Sequence, residues 1–218
     1  MFSFAQEKNR CALAAFAMFS ALASAPVSAE TLMLQTPEDG APGYLSANGL
    51  GLQNGDTFTF SVDSEVTGIA WWGTEASGDG FVVRVFDSLQ ESAAPLYAYA
   101  GAVSGQATDP ALQNDAQGAL YRYSLGGLSL NLGAGVTYLL SVSYEGASGE
   151  WFWQSGFGGD GASYFRGDDA EPWAAGDLDL AFSIEGSPTS PIPEPGTVAL
   201  FGAGLVTLML ARRRVATI

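Results

Sequence analysis

A chain of 218 residues with 23 acidic and 8 basic side chains, a formal charge of −15 and 47% hydrophobic residues can bury one core and is too apolar for a solvating disordered tail. It contains no histidine and one cysteine, Cys11. Ser-His-Asp and Cys-His nucleophile systems, histidine ligation of zinc or haem, and an imidazole base near neutral pH are therefore excluded.

The first segment, residues 1–29, places Lys8 and Arg10 before an apolar run from Cys11 to Ala25, then Pro26 and the small-residue triplet Val27-Ser28-Ala29. A charged front, an apolar run without amphipathic period and a processing site make a secretory signal peptide. Glu30 is then expected to start the exported chain. Cys11 leaves with the signal peptide, so the exported chain is thiol-free and holds no disulfide in an oxidising compartment.

From residue 30 to 187 apolar residues alternate instead of recurring every three or four positions, which predicts strands. Phe58, Phe60 and Val62 share one face of the run from Asp56 to Asp63. Phe81, Val83 and Val85 repeat the pattern, as do Tyr138, Leu140, Val142 and Tyr144, and then Leu178, Leu180, Phe182 and Ile184. Further strands are expected at 31–35, 66–72, 95–103, 119–125, 128–132 and 150–157. Glycine-rich turn signals separate them: Asn54-Gly55-Asp56, Gly78-Asp79-Gly80, Gly126-Gly127, Gly133-Ala134-Gly135, 146–149 and 158–161. Short strands at near-regular spacing, with no helix-period segment between them, predict an all-β antiparallel β-sandwich of jelly-roll type. The longer connections from Pro37 to Gly49 and from Gly105 to Gly118 are expected to cross between its sheets.

This body holds 21 acidic residues against Arg84, Arg122 and Arg166, a formal charge of −18. Such a surface repels nucleic acid and anionic lipid and keeps an exported protein dispersed. With no histidine, lysine or cysteine between residues 30 and 190, the body is expected not to be an enzyme.

Two features within it suggest binding. Trp71, Trp72 and Trp173 are candidates for stacking on sugar rings, because an indole face matches the apolar face of a pyranose. Neighbouring residues of a strand point oppositely, so Trp71 and Trp72 cannot both enter one core. Trp151 and Trp153 share a face. Asp160, Asp168, Asp169 and Glu171 lie among glycines in an expected loop, a composition that suits calcium; the alternative is a solvated acidic loop partly neutralised by Arg166. The run Gly156-Phe157-Gly158-Gly159-Asp160-Gly161 satisfies G-x-G-x-x-G, but no strand-turn-helix surrounds it and its aspartate repels a pyrophosphate.

The last segment, 188–218, reads Pro191-Ile192-Pro193-Glu194-Pro195-Gly196, an apolar stretch from Thr197 to Ala211, and Arg212-Arg213-Arg214. As a transmembrane helix over about 196–211 the stretch would be roughly 23 Å long, short for a hydrocarbon core of about 30 Å. A transient anchor suits it better, with the three arginines stopping transfer and the prolines held extended outside the membrane.

Pro193-Glu194-Pro195, the glycine-containing apolar stretch (Gly202, Gly204) and the basic cluster together resemble the PEP-CTERM sorting signal of Gram-negative bacteria. The resemblance implies that exosortase, a membrane protease-transpeptidase, cuts near Pro193-Glu194-Pro195 after transient insertion in the inner membrane. The chain then passes to the cell surface or extracellular matrix. It also implies association with exopolysaccharide and biofilm. Residues 66–73 and 179–184 resemble the β-sandwich bodies of other proteins with this signal, which bears on fold and not on activity. A permanently anchored surface protein and a calcium-dependent carbohydrate-binding module are the alternatives.

Overall fold

A computed structural model describes residues 29–76, 80–90, 93–146 and 149–189. The expected signal peptide, the Pro-Glu-Pro triplet, the apolar stretch and the three arginines lie outside the described residues. Within them, no helix is long and apolar enough to cross a membrane.

Fourteen strands follow one another along the described chain: β1 (Glu30–Pro37), β2 (Gly43–Leu45), β3 (Gln53–Thr59), β4 (Ser64–Gly73), β5 (Phe81–Phe86), β6 (Tyr97–Gly101), β7 (Gln106–Ala107), β8 (Tyr121–Leu132), β9 (Thr137–Tyr144), β10 (Phe152–Gln154), β11 (Gly156–Phe157), β12 (Ser163–Arg166), β13 (Ala174–Ala175) and β14 (Phe182–Pro188). They form two sheets. One has the order β11-β1-β14-β4-β10-β2, with β8 paired to β4 and β7 to β8; the other runs β13-β12-β3-β9-β5-β6. Every ladder is antiparallel, so the molecule is the expected all-β sandwich.

Alternation does what the sequence requires. Phe58, Val83, Val85, Leu140 and Val142 from one sheet, with Phe60 just beyond β3, meet Ile69, Trp71, Leu132, Phe182 and Ile184 from the other in a single buried cluster. Aromatic rings dominate one end of it. Phe81 lies 5.3 Å from Trp71, 4.8 Å from Tyr123 and 5.0 Å from Trp151 between ring centroids, all tilted or edge-on. Pairs in these geometries add about 0.5–1.5 kcal/mol each beyond their buried area. The indole N–H groups of Trp151 and Trp153 donate to the carbonyls of Thr74 (2.9 Å) and Ala181 (2.8 Å), so both rings are buried without stranding a donor.

Several expected boundaries differ. Residues 119–125 and 128–132 belong to one strand, β8, and Gly126-Gly127 is an irregularity in its ladder with β4. Gly127 takes φ +74°, which glycine adopts freely, but β4 pairs with the chain on both sides and converts the turn signal into a bulge. Asn54-Gly55-Asp56 is likewise no turn; it lies inside β3, where a Cβ on Gly55 would stand 2.9 Å from the Leu140 carbonyl. That glycine serves close approach of neighbouring strands. The last strand starts at Phe182, leaving Leu178 39% exposed outside it. The expected acidic loop 160–171 contains β12, which pairs with both β3 and β13. The first long connection holds β2 and stays in its sheet, and the crossing follows it through a short 3-10 turn, Asn48–Leu50. The second expected crossing is displaced as well: the chain changes sheets between β6 and β7, over residues 102–105, and Gly105 to Gly118 then holds β7 and leads to β8 within one sheet.

Candidate functional site

The three candidate sugar-stacking tryptophans have three different environments. Trp71 is fully buried against Phe81 and Tyr123 and cannot touch a ligand. Trp173 is half-buried under the guanidinium of Arg166, 4.3 Å from its ring, and lies 6.2 Å from Phe86. It covers the outer side of its sheet and is no open platform. Trp72 alternates outward from Trp71, half-buried, with the Arg122 guanidinium 5.6 Å from its ring.

Beside Trp72 the outer face of β4, β8 and β14 forms an open groove of about 540 Å³. Its floor is small: Gly68 faces Gly126 and Ala70 faces Ser124 across the ladder. Arg122 donates from Nη2 to Glu185 Oε1 at 3.2 Å, placing a cation and an anion along the groove. A second cleft, about 580 Å³, opens where β2 of the first sheet meets β3, β12 and β13 of the second, between Tyr44, Leu52, Phe165 and Asp177. The sequence signalled Trp72; nothing in the patterning marked Tyr44 or Phe165, which belong to strands too short to show a period.

The four candidate calcium ligands separate. Asp168 accepts the Ala170 N–H at 2.7 Å and Glu171 the Gly167 N–H at 2.9 Å, so both cap local backbone. Asp169 accepts from Arg84 Nη1 (2.5 Å) and Arg166 Nη2 (2.6 Å). Partial burial opposes its ionisation. Hydrogen bonds from Arg84 and Gln53, with the charges of Arg84 and Arg166, outweigh that and hold the carboxyl below the usual carboxylate range. Arg166 itself is 4% exposed, its Nε donating to Gln53 Oε1 at 2.9 Å; burial lowers its pKa, but a guanidinium stays charged at any working pH.

Asp160 alone of the four joins a cluster, and its companions are Asp56 and Asp179. Ligand-capable oxygens of these three lie within 4.8 Å of one another. Asp56, on β3, is fully buried; its Oδ2 accepts the Leu180 N–H at 2.5 Å and, from the Gln35 amide oriented to donate, a second bond at 3.0 Å. Desolvation, with a smaller contribution from Asp179 and Asp160, pushes its carboxyl up to about 8. Asp179 accepts the N–H groups of Gly159 (2.9 Å) and Gly161 (2.7 Å), and Asp160 accepts from Thr57 Oγ1 at 3.0 Å. Sequence reasoning missed Asp56 and Asp179. The signal present was an acid inside an alternating apolar run, Leu178-Asp179-Leu180, and one beside a glycine that packs rather than turns.

Comparison with known proteins adds one positive finding on the tail. Residues 191–214 match the family model described as the PEP-CTERM protein-sorting motif. No curated protein matches the chain. Among solved structures, the cysteine protease and lectin-like domains of Cwp84, a surface layer associated protein of Clostridium difficile, are similar at a TM-score of 0.42 and 9% identity, over 63% of this chain. The chain spans 32% of the length of that structure's chain. The motif lies where the Pro-Glu-Pro triplet, apolar stretch and arginines follow one another, so the chain carries a PEP-CTERM sorting motif, which supports its export as an exosortase substrate.

Proposed function

We propose that the chain is a non-enzymatic module of the cell surface or extracellular matrix that associates with exopolysaccharide through the groove beside Trp72. The sorting motif over residues 191–214 carries the routing. Support for polysaccharide contact comes from the groove: a floor that includes glycine and alanine, Arg122 and Glu185 as partners for hydroxyls, and the Trp72 indole 5.6 Å from the Arg122 guanidinium that lines it. Support for a non-enzymatic role comes from the residue inventory and from burial. The body has no histidine, lysine or cysteine, and in its carboxylate cluster Asp56 is 0% and Asp179 8% exposed, closed to the glycosidic bond that a catalytic carboxylate pair must flank.

Two variants test the two parts. Replacing Pro193, Glu194 and Pro195 by alanine is expected to trap the chain in the membrane fraction; unchanged localisation overturns the routing. The parent chain is expected to be retarded in a gel containing its host's exopolysaccharide and Trp72→Ala to run freely. Equal mobility of parent and variant overturns the groove as the contact. Loss of retardation in Tyr44→Ala instead would move the contact to the second cleft.

A further inference from the structure

The carboxylate cluster between the sheets has no counter-charge of its own. Three arginines are the only basic side chains from residue 30 to 190. Arg84 and Arg166 are engaged by Asp169, and Arg122 by Glu185. Yet Asp56, Asp160 and Asp179 bring their oxygens within 4.8 Å of one another, two of them almost wholly buried. Carboxylates so close repel, and burial magnifies the repulsion.

The hydrogen-bond inventory shows where a ligand belongs. Asp56 Oδ2 is satisfied by the Leu180 N–H and the Gln35 amide, but Asp56 Oδ1 is fully buried and has no partner. A stranded carboxylate oxygen facing two further carboxylates is what a cation site leaves when only protein partners are counted. The surrounding bonds hold the other donors in place. Gly159 and Gly161 N–H groups fix Asp179, and Thr57 Oγ1 and the Ala162 N–H fix Asp160. A Cβ on Gly159 would land against the Gln35 amide and the Asp179 carboxylate, so glycine keeps this space open to them.

We propose that Asp56, Asp160 and Asp179 bind one calcium ion, which ties the glycine-rich loop 158–162 to β3 and to the segment entering β14. All donors are hard oxygens, and the body has no histidine or cysteine to supply the nitrogen and sulfur ligands of structural zinc sites. Magnesium demands a near-ideal octahedron and retains its waters, whereas calcium accepts six to eight oxygens with irregular geometry, including the carbonyls that a glycine loop can turn inward. Extracellular modules bind calcium with Kd of about 10⁻⁴–10⁻³ M, suited to an exported chain. The site is independent of the sugar contact proposed above.

The test is thermal unfolding of the full-length chain in EDTA, in calcium, and in magnesium or sodium chloride at matched ionic strength. At about 100 times Kd, calcium is expected to raise Tm by about 5–10 °C over every other condition. Asp160→Asn sits on the exposed loop and leaves the core intact; it should weaken calcium binding about tenfold or more by calorimetry. Asp56→Asn should abolish the calcium shift while melting in EDTA no lower than the parent, because the isosteric amide keeps an oxygen for the Leu180 N–H and relieves the crowding of three carboxyl groups. Asp168→Asn and Glu171→Gln should keep the parent's response. A parent with no calcium-specific shift, or a shift preserved in Asp160→Asn and lost in Asp168→Asn, overturns the site.

Discussion

Replacing Asp169 by alanine tests where ionic stabilisation resides in this acidic molecule. Its carboxylate is 61% exposed, which alone would make the pair with Arg84 worth about 1 kcal/mol or less. The other partner changes the balance, since the Arg166 side chain is only 2% exposed. Removing Asp169 strands that guanidinium with Gln53 and two aromatic rings, Trp173 at 4.3 Å and Phe86 at 5.6 Å. One charge-assisted bond contributes about 1.5–3 kcal/mol, so with the stranded charge Asp169→Ala should cost about 3 kcal/mol. Arg166→Met removes the buried charge and leaves an apolar chain between Trp173 and Phe86. It loses the bond to Gln53 and the cation–π contacts, about 2 kcal/mol. The double variant should then cost about as much as Asp169→Ala alone, a coupling of about 2 kcal/mol. Urea unfolding reads this directly: with m of about 2 kcal/mol/M, Asp169→Ala moves the midpoint down by about 1.5 M. A shift below about 0.3 M, or additivity of the two single variants, would refute the reasoning and make the cluster an ordinary solvated ion pair.

Other consequences follow from the same geometry. Because Asp169 ionises below the usual carboxylate range when folded, its stabilisation is fully present above pH of about 4 and is lost as pH falls through the folded value; Asp169→Asn should flatten that acid limb of a stability–pH curve. Trp71→Ala should cost about 3–5 kcal/mol by cavity formation, whereas Trp72→Ala, on the half-buried outer face, should cost about 1 kcal/mol or less while losing the polysaccharide retardation. Chemical denaturation separates the two. Gly73→Ala drives a Cβ against the Trp151 ring and to 2.5 Å from the Phe152 carbonyl, so overpacking of about 1–3 kcal/mol is expected from its unfolding midpoint.

The fold was legible because period-two patterning is local: Phe58 and Phe60, Val83 and Val85, and Phe182 and Ile184 alternate over a few residues and all reach the core. Gly126-Gly127 misled because turn and bulge use the same residue chemistry, and only pairing with β4 on both sides decides between them. The second sheet's outer side escaped notice for another reason. Phe86 is 1% exposed although it alternates with core residues, because Trp173 and Arg166 pack over it, and its cross-strand partner Leu139 is equally buried. The acidic segment was read as a place for calcium, but the carboxyl groups nearest Asp160 are 104 and 19 positions away in sequence, at Asp56 and Asp179. No spacing rule spans such distances; the sheets bring the three together. The sorting tail was the most legible part, since its signal is linear and is read before any fold matters.

The most direct test of the account is intact mass and C-terminal sequencing of the protein recovered from culture supernatant and from membranes of its host. A species beginning at Glu30 and ending near Pro193-Glu194-Pro195 is the predicted result. A chain carrying its tail through Arg212-Arg213-Arg214 to Ile218, found in membranes alone, would contradict it and make this a permanently anchored surface protein.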